Sequence, residues 1–203
     1  MMCGDFGKTE LCADGTRSGL ENAQAPARLR IRHIHAWEAP STMTDRNELP
    51  ASGHSRLDMT HLTGLEFVQG LADGHYPRPP MAELLPFVLL PPREGTVELR
   101  ASPEPRFLNT LGTVHGGWSM TMLDTCMALA AHTTLAPGEL SPTLDTAVKF
   151  VRPISGDSKE LRLIGHVISR SRNVITLEGR IETAQGKLHA HGTSTCMIVR
   201  KGG

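Results

Sequence analysis

The 203-residue chain has little of what marks the more specialised protein classes. One Tyr, two Trp and five Phe make up 4% of it, so its core must be built from aliphatic side chains. Cysteine is scarce. Cys3, Cys12, Cys126 and Cys196 are widely spaced without a C-x-x-C pair, so neither a zinc site nor a disulfide framework is expected, and a cytoplasmic, reducing setting fits. Neither sign of charge is in surplus: 21 Lys and Arg balance 21 Asp and Glu. Holding nucleic acid by bulk electrostatics is thereby excluded, and any polyanion must meet a local basic cluster. No apolar run reaches the length of a membrane span, so no membrane partner is expected, and the N-terminus lacks the unbroken apolar stretch of a signal peptide. What is there, 39% hydrophobic and 21% charged residues, suits one globular domain and is short for two.

Residues 1–58 show no sustained helical or strand period and are expected to be a poorly structured N-terminal segment ahead of a domain at 59–203. The densest patch, Arg28–Trp37, alternates basic and apolar residues as an edge strand or amphipathic arm does, and Met43 and Met59 leave a downstream start open. From Thr60 the pattern sharpens. Leu62, Leu65, Val68 and Leu71 give His61–Leu71 one apolar helical face. Met81–Leu85 reads as a short helix, Pro86–Leu90 and Thr96–Ala101 as strands, and Trp118–His132 as a helix apolar nearly all round and hence buried. Strands follow at Asp145–Arg152, Glu160–Ser171 (interrupted by Gly165), Val174–Thr183 and Leu188–Val199. In the third, Ile175, Leu177 and Ile181 oppose Thr176, Glu178, Arg180 and Glu182. Strands joined by hairpins are antiparallel, and one buried helix beside such a sheet is an α+β arrangement.

Two features carry chemistry. Gly116 and Gly117 stand where the long helix begins, and helix N-termini expose N–H groups aligned with the positive end of the dipole. Glycine there lets a carbonyl ligand approach the backbone, as in an oxyanion hole; a tight turn under the sheet is the plainer alternative. Asp124 is the second. Its neighbours three and four residues away are Met120, Thr121, Met127 and Ala128, so no local ion pair accounts for it. A carboxylate in an apolar helix is costly unless it is paired from a neighbouring strand or put to use as a base or nucleophile. The H-x-H pairs His33/His35 and His189/His191 lack a third ligand at convincing spacing, and Cys126 has no basic neighbour to activate it, so no metal site is expected and Cys126 is assigned to the core.

Asn109-x-x-Gly112-x-x-His115-Gly116-Gly117 followed by Asp124 resembles the signature of the PaaI-like acyl-CoA thioesterases of the hotdog fold. The resemblance runs from about Thr63 to Arg200 and takes in Gly74-x-x-Pro77, Phe150-Val-Arg-Pro153 and His191-Gly192-Thr193. It implies an antiparallel sheet wrapped around one long helix, and hydrolysis of an acyl-CoA to free acid and CoA without metal or redox cofactor. It implies that Asp124 activates water or attacks the thioester and that the Gly116 N–H polarises the carbonyl. Asn109 and His115 would flank the thioester, and Thr143 would assist the water. Gly117 belongs to the same donor set, and Arg152, Arg170, Arg172 and Asn173 are candidates for the CoA phosphates. The family's dimers carry sites at the subunit interface, so a homodimer or a dimer of dimers is implied. Spacing supports a shared site independently. Gly116 and Asp124 are eight residues apart, about 12 Å along a helix, too far to serve one thioester from one helix, whereas two copies about a two-fold axis bring the ends together. A hotdog hydratase or dehydratase and a non-catalytic acyl-CoA-binding protein are the alternatives; the acyl group is left open.

Overall fold

A computed structural model describes residues 60–77 and 79–200. The expectations for residues 1–58, including the Arg28–Trp37 patch and the His33/His35 pair, lie outside the described residues. Two short helices, α1 (Gly64–Ala72) and α2 (Pro80–Leu84), lead into β1 (Val88–Leu89) and β2 (Thr96–Ala101), then the long helix α3 (Gly116–His132). The chain closes with β3 (Glu139–Leu140), β4 (Thr143–Phe150), β5 (Leu161–Arg170), β6 (Val174–Thr183), β7 (Leu188–Met197) and β8 (Val199–Arg200). Six strands make one antiparallel sheet in the order β1-β2-β5-β6-β7-β4, while β3 pairs with β8. This is the hotdog arrangement, with α3 packed against the sheet.

α1 begins at a capping box absent from the sequence-based expectation. Thr63 Oγ1 accepts from the Glu66 N–H at 3.2 Å, and the Glu66 carboxylate accepts from the Thr63 N–H at 2.8 Å. The core is aliphatic as the composition requires: Leu99, Leu163, Leu177 and Ile181 of the sheet meet Met122, Leu123 and Met127 of α3. Gly165 does not interrupt β5. It stands in register with Gly179 of β6, which in turn faces Gly192 of β7, so a row of glycines crosses the sheet beneath the helix. A Cβ at Gly165 would lie 2.6 Å from the Cys126 carbonyl oxygen, so sheet backbone and helix backbone touch there. Cys126 seals the contact as a core residue. Its thiol donates to the carbonyls of Val97 (3.6 Å) and Leu163 (3.4 Å), and burial pushes its pKa far up.

Several expectations need correction. α3 starts at Gly116, not Trp118, because His115 supplies the N-cap. α3 is not buried all round: Met120 is 43% exposed and Thr121, Asp124, Thr125 and Ala128 are half-buried, since one sheet covers one side of a helix. Glu182 is buried, not exposed, because it pairs with Arg162 at 3.0 Å where a bulge separates Ile181 from Glu182. Arg162 in turn grips Glu98 at 2.9 Å. His189, on the polar side of the last strand, is buried with Nδ1 3.1 Å from the Pro153 carbonyl oxygen. That strand ends at Met197, and Val199–Arg200 leaves the large sheet to pair with β3.

Candidate active site

The start of α3 is built by the preceding loop. Asn109 Oδ1 accepts from the N–H groups of Leu111 (2.9 Å) and Thr113 (3.2 Å), and its Nδ2 donates to Thr113 Oγ1 (2.9 Å). Gly112, at φ +76°, completes the turn in a region that favours glycine. Asn109 thus shapes the loop, with its carboxamide oxygen engaged inside it. The loop delivers His115, whose Nδ1 accepts from the Gly117 N–H at 2.9 Å, which places the ring proton of the neutral imidazole on Nε2. Of the two glycines, therefore, Gly117 has its N–H engaged by His115. The Gly116 N–H has no acceptor among the described residues. The Phe150 ring lies over Gly116, 3.0 Å from where a Cβ would stand. Asn109, Gly116, Phe150, Arg152 and His189 border a depression of about 350 Å³. Arg152 reaches across it, donating to the Leu188 carbonyl at 2.9 Å.

Asp124 opens on a different space, a broad depression of about 570 Å³ bordered by Phe67, Ala128, His132, Leu140 and Val199. Its Oδ1 accepts from Thr146 Oγ1 at 3.0 Å. Thr146 and Ser194 hydroxyls lie 3.2 Å apart, and Ser194 donates to the Asp145 carbonyl at 2.8 Å. Thr146 of β4 thus fixes one carboxylate oxygen, with the Ser194 hydroxyl of β7 beside it and tied to the Asp145 carbonyl, and no described group donates to Oδ2. Neither Thr146 nor Ser194 was singled out from the sequence. The signal was present: Thr146 shares the inward face of its strand with Val148 and Phe150, and Ser194 shares one with Ala190 and Cys196. A hydroxyl on an apolar face points to a buried partner. His132, two turns beyond Asp124, packs edge-on against Phe67 at 5.2 Å, and burial holds its pKa below the usual imidazole value.

Thr143 stands opposite Cys196 in the β4–β7 register, its hydroxyl 3.9 Å from the sulfur, without a hydrogen bond to Asp124. Arg170 pairs with Glu139 at 2.9 Å, and Arg200 pairs with the same carboxylate at 2.9 Å. Arg172 is exposed, with its carbonyl accepting from Arg200, and Asn173 is exposed with its carbonyl accepting from the Ile198 N–H. His191 contacts Glu178 at 3.5 Å while His189 is turned to Pro153, so the two histidines have separate partners. Among the described residues no helix is long and apolar enough to cross a membrane.

Residues 111–190 match the model of the Thioesterase superfamily. A phenylacetic acid degradation-related protein of Ralstonia eutropha JMP134 is 32% identical and superimposes with a TM-score of 0.59, over 64% of this chain and 98% of that one. A Haemophilus influenzae thioesterase shares the fold at 22% identity and TM-score 0.57, covering 67% of this chain and 90% of its own. So does a Streptococcus mutans UA159 protein solved with acetyl-CoA bound, at 20% identity and TM-score 0.52, covering 57% and 90%. No curated protein matches in sequence.

Proposed function

Since this chain belongs to the PaaI-like thioesterases of the hotdog fold and is a thioester hydrolase, we propose that it cleaves acyl-CoA, with Asp124 as base or nucleophile and the Gly116 N–H as oxyanion donor. The observation that carries the assignment is the state of Asp124. It is a half-buried carboxylate in an apolar helix, fixed at Oδ1 by Thr146, with Oδ2 free and no cationic partner among the described residues. The free oxygen takes a proton from water as the water oxygen attacks the thioester carbon, and the developing oxyanion takes the Gly116 N–H. Collapse breaks the C–S bond. The proton passes to the departing CoA sulfur, leaving a carboxylic acid and a thiol. If Asp124 attacks directly, an acyl-enzyme anhydride forms first and water then hydrolyses it. The donor set is one carboxylate and one backbone amide, and we assign no metal or redox cofactor to it.

The two groups border separate depressions and are eight residues apart on one continuous helix, about 12 Å at 1.5 Å per residue. This supports a homodimer in which Gly116 of one copy faces Asp124 of the other. The open side of α3 and the edge strand β4, with exposed Leu144, Phe150 and the adjoining Val151, offer the contact surface. A dimer of dimers is compatible with it. The Streptococcus mutans neighbour binds acetyl-CoA, and this likeness supports CoA as the carrier. Arg152, Arg172 and Asn173 are the proposed contacts for its phosphates, with Arg170 joining if Glu139 keeps Arg200 as its partner.

The test is thiol release from a panel of acyl-CoA substrates. Wild-type protein should turn over at least one of them in the presence of a chelator. Asp124→Asn should lower kcat by about 10² or more while keeping the fold and substrate binding. Near-normal turnover by the variant would move the chemistry elsewhere, and complete dependence on an added divalent ion would overturn the metal-free assignment.

A further inference from the structure

Behind the Asp124 depression lies a second, more enclosed cavity of about 150 Å³. Leu85, Phe87 and Leu89 form its outer wall, and Met122, Thr125 and Leu129 of α3 its inner one. Thr125 and Leu129 also border the Asp124 depression, so the two spaces adjoin along one face of the helix. Among the described residues, every lining side chain is apolar except Thr125, and its hydroxyl is donated to the Thr121 carbonyl at 2.8 Å, within the helix. A cavity of this volume and character takes a molecule the size of benzene.

We infer that this cavity is the acyl-tail subsite, and that it selects acyl-CoA substrates whose tail is a bare hydrocarbon of about five or six carbons. The inference rests on the assignment of Asp124 to the thioester. A carbonyl carbon at Oδ2 puts the rest of the acyl group against Thr125 and Leu129, and the adjoining apolar space is the place where a tail loses its contact with water. Hydroxylated or carboxylated tails find no partner there and bear the full cost of desolvation. Chains of ten or more carbons exceed the volume and require α2 to move. Ala82 and Leu85, on the α2 side of the cavity, set its depth; they are specificity residues and take no part in the chemistry.

Hydrolysis of acetyl-, hexanoyl- and palmitoyl-CoA by wild-type protein tests the size rule. Hexanoyl-CoA should exceed the other two in kcat/KM by roughly 10², as expected for four buried methylenes. Ala82→Leu fills the cavity and should lower hexanoyl-CoA turnover about tenfold with acetyl-CoA unchanged. Leu85→Ala deepens it and should move the optimum to a longer chain, which keeps the rule testable if the first variant fails to fold. Benzene serves as a probe independent of catalysis: wild-type protein should bind it saturably in an NMR titration. Palmitoyl-CoA turned over as well as hexanoyl-CoA would overturn the inference, as would an equal loss on acetyl- and hexanoyl-CoA in Ala82→Leu. Failure of benzene to bind would overturn it whatever the rates. If benzene binds but no thioester is cleaved, the fault lies with the Asp124 assignment, and the inference falls as an acyl subsite while the cavity stands as an apolar binding site.

Discussion

The two proposed working places on α3, its N-terminus and Asp124 at mid-helix, are built from different materials. At the N-terminus the proposed working group is a backbone N–H, and side chains prepare it: Asn109 closes the loop, His115 caps Gly117, and Gly116 is left without an acceptor among the described residues. At Asp124 the proposed working group is a side chain, and another side chain, Thr146, holds it, with Ser194 beside Thr146. The first end is local in sequence, contained within Asn109–Gly117. The second draws on three elements spread over Asp124–Ser194. A backbone donor is fixed by the path of the chain, whereas a carboxylate must be aimed, and aiming takes hydroxyls from strands that arrive later in the chain.

The largest test of this division mixes the two ends. Asn109→Ala unties the first, Asp124→Asn disables the second, and each should be nearly inactive alone. In a heterodimer one site receives both lesions and the other neither, so random pairing should restore roughly a quarter of wild-type activity. Differently tagged, co-purified dimers that stay as inactive as the single variants would show that each site is contained in one subunit. Next in size, Thr146→Val keeps the shape of the side chain and removes the hydroxyl that aims Asp124. It should lower kcat by about tenfold with KM little changed, whereas a purely structural loss would appear in thermal unfolding instead.

A smaller effect separates His132 from the chemistry of its neighbour. Burial lowers its native pKa, so on acidification the unfolded chain takes up this proton before the folded one does. Its contribution is therefore present above the unfolded value, about 6.5, and stability is lost as pH falls below it. His132→Phe should flatten that part of the Tm-against-pH curve without moving the pH profile of kcat. A shifted kcat profile would place His132 in proton transfer. The smallest expected effect belongs to residues 1–58, whose removal should leave a folded, active enzyme. Loss of solubility or turnover in the truncated chain would make that segment part of the domain or of its interface.

How much of this was legible beforehand follows from the same division. The elements β2 and β6 have the limits that alternation predicts, Thr96–Ala101 and Val174–Thr183, because each has one face on the core. The Gly116 end was legible because all its parts lie within nine residues. Thr146 was not, since the demand for it comes from Asp124, 22 residues earlier, across a register that the strand sequence does not disclose. That the Gly117 N–H is engaged was not legible, because it depends on where the His115 ring lies. Glu182 looked solvated because Arg162, its partner, lies on the neighbouring strand. The open side of α3 has another cause. An apolar helix tells how much surface must be covered, but not whether the cover comes from its own chain.

The row of glycines under α3 bears on the stiffness of the machine. Most helix–sheet contacts run through side chains, which have rotamers to exchange and so give under load or heat. At Gly165 and Cys126 peptide rests on peptide, and such a bearing has no side-chain entropy to release. The height of the helix over the sheet is then set there by backbone contact, and the separation of Gly116 from Asp124 by the rise of the helix itself. Under the proposed mechanism, motion during turnover comes from elsewhere: the capping loop, α2 and the proposed contact between two subunits.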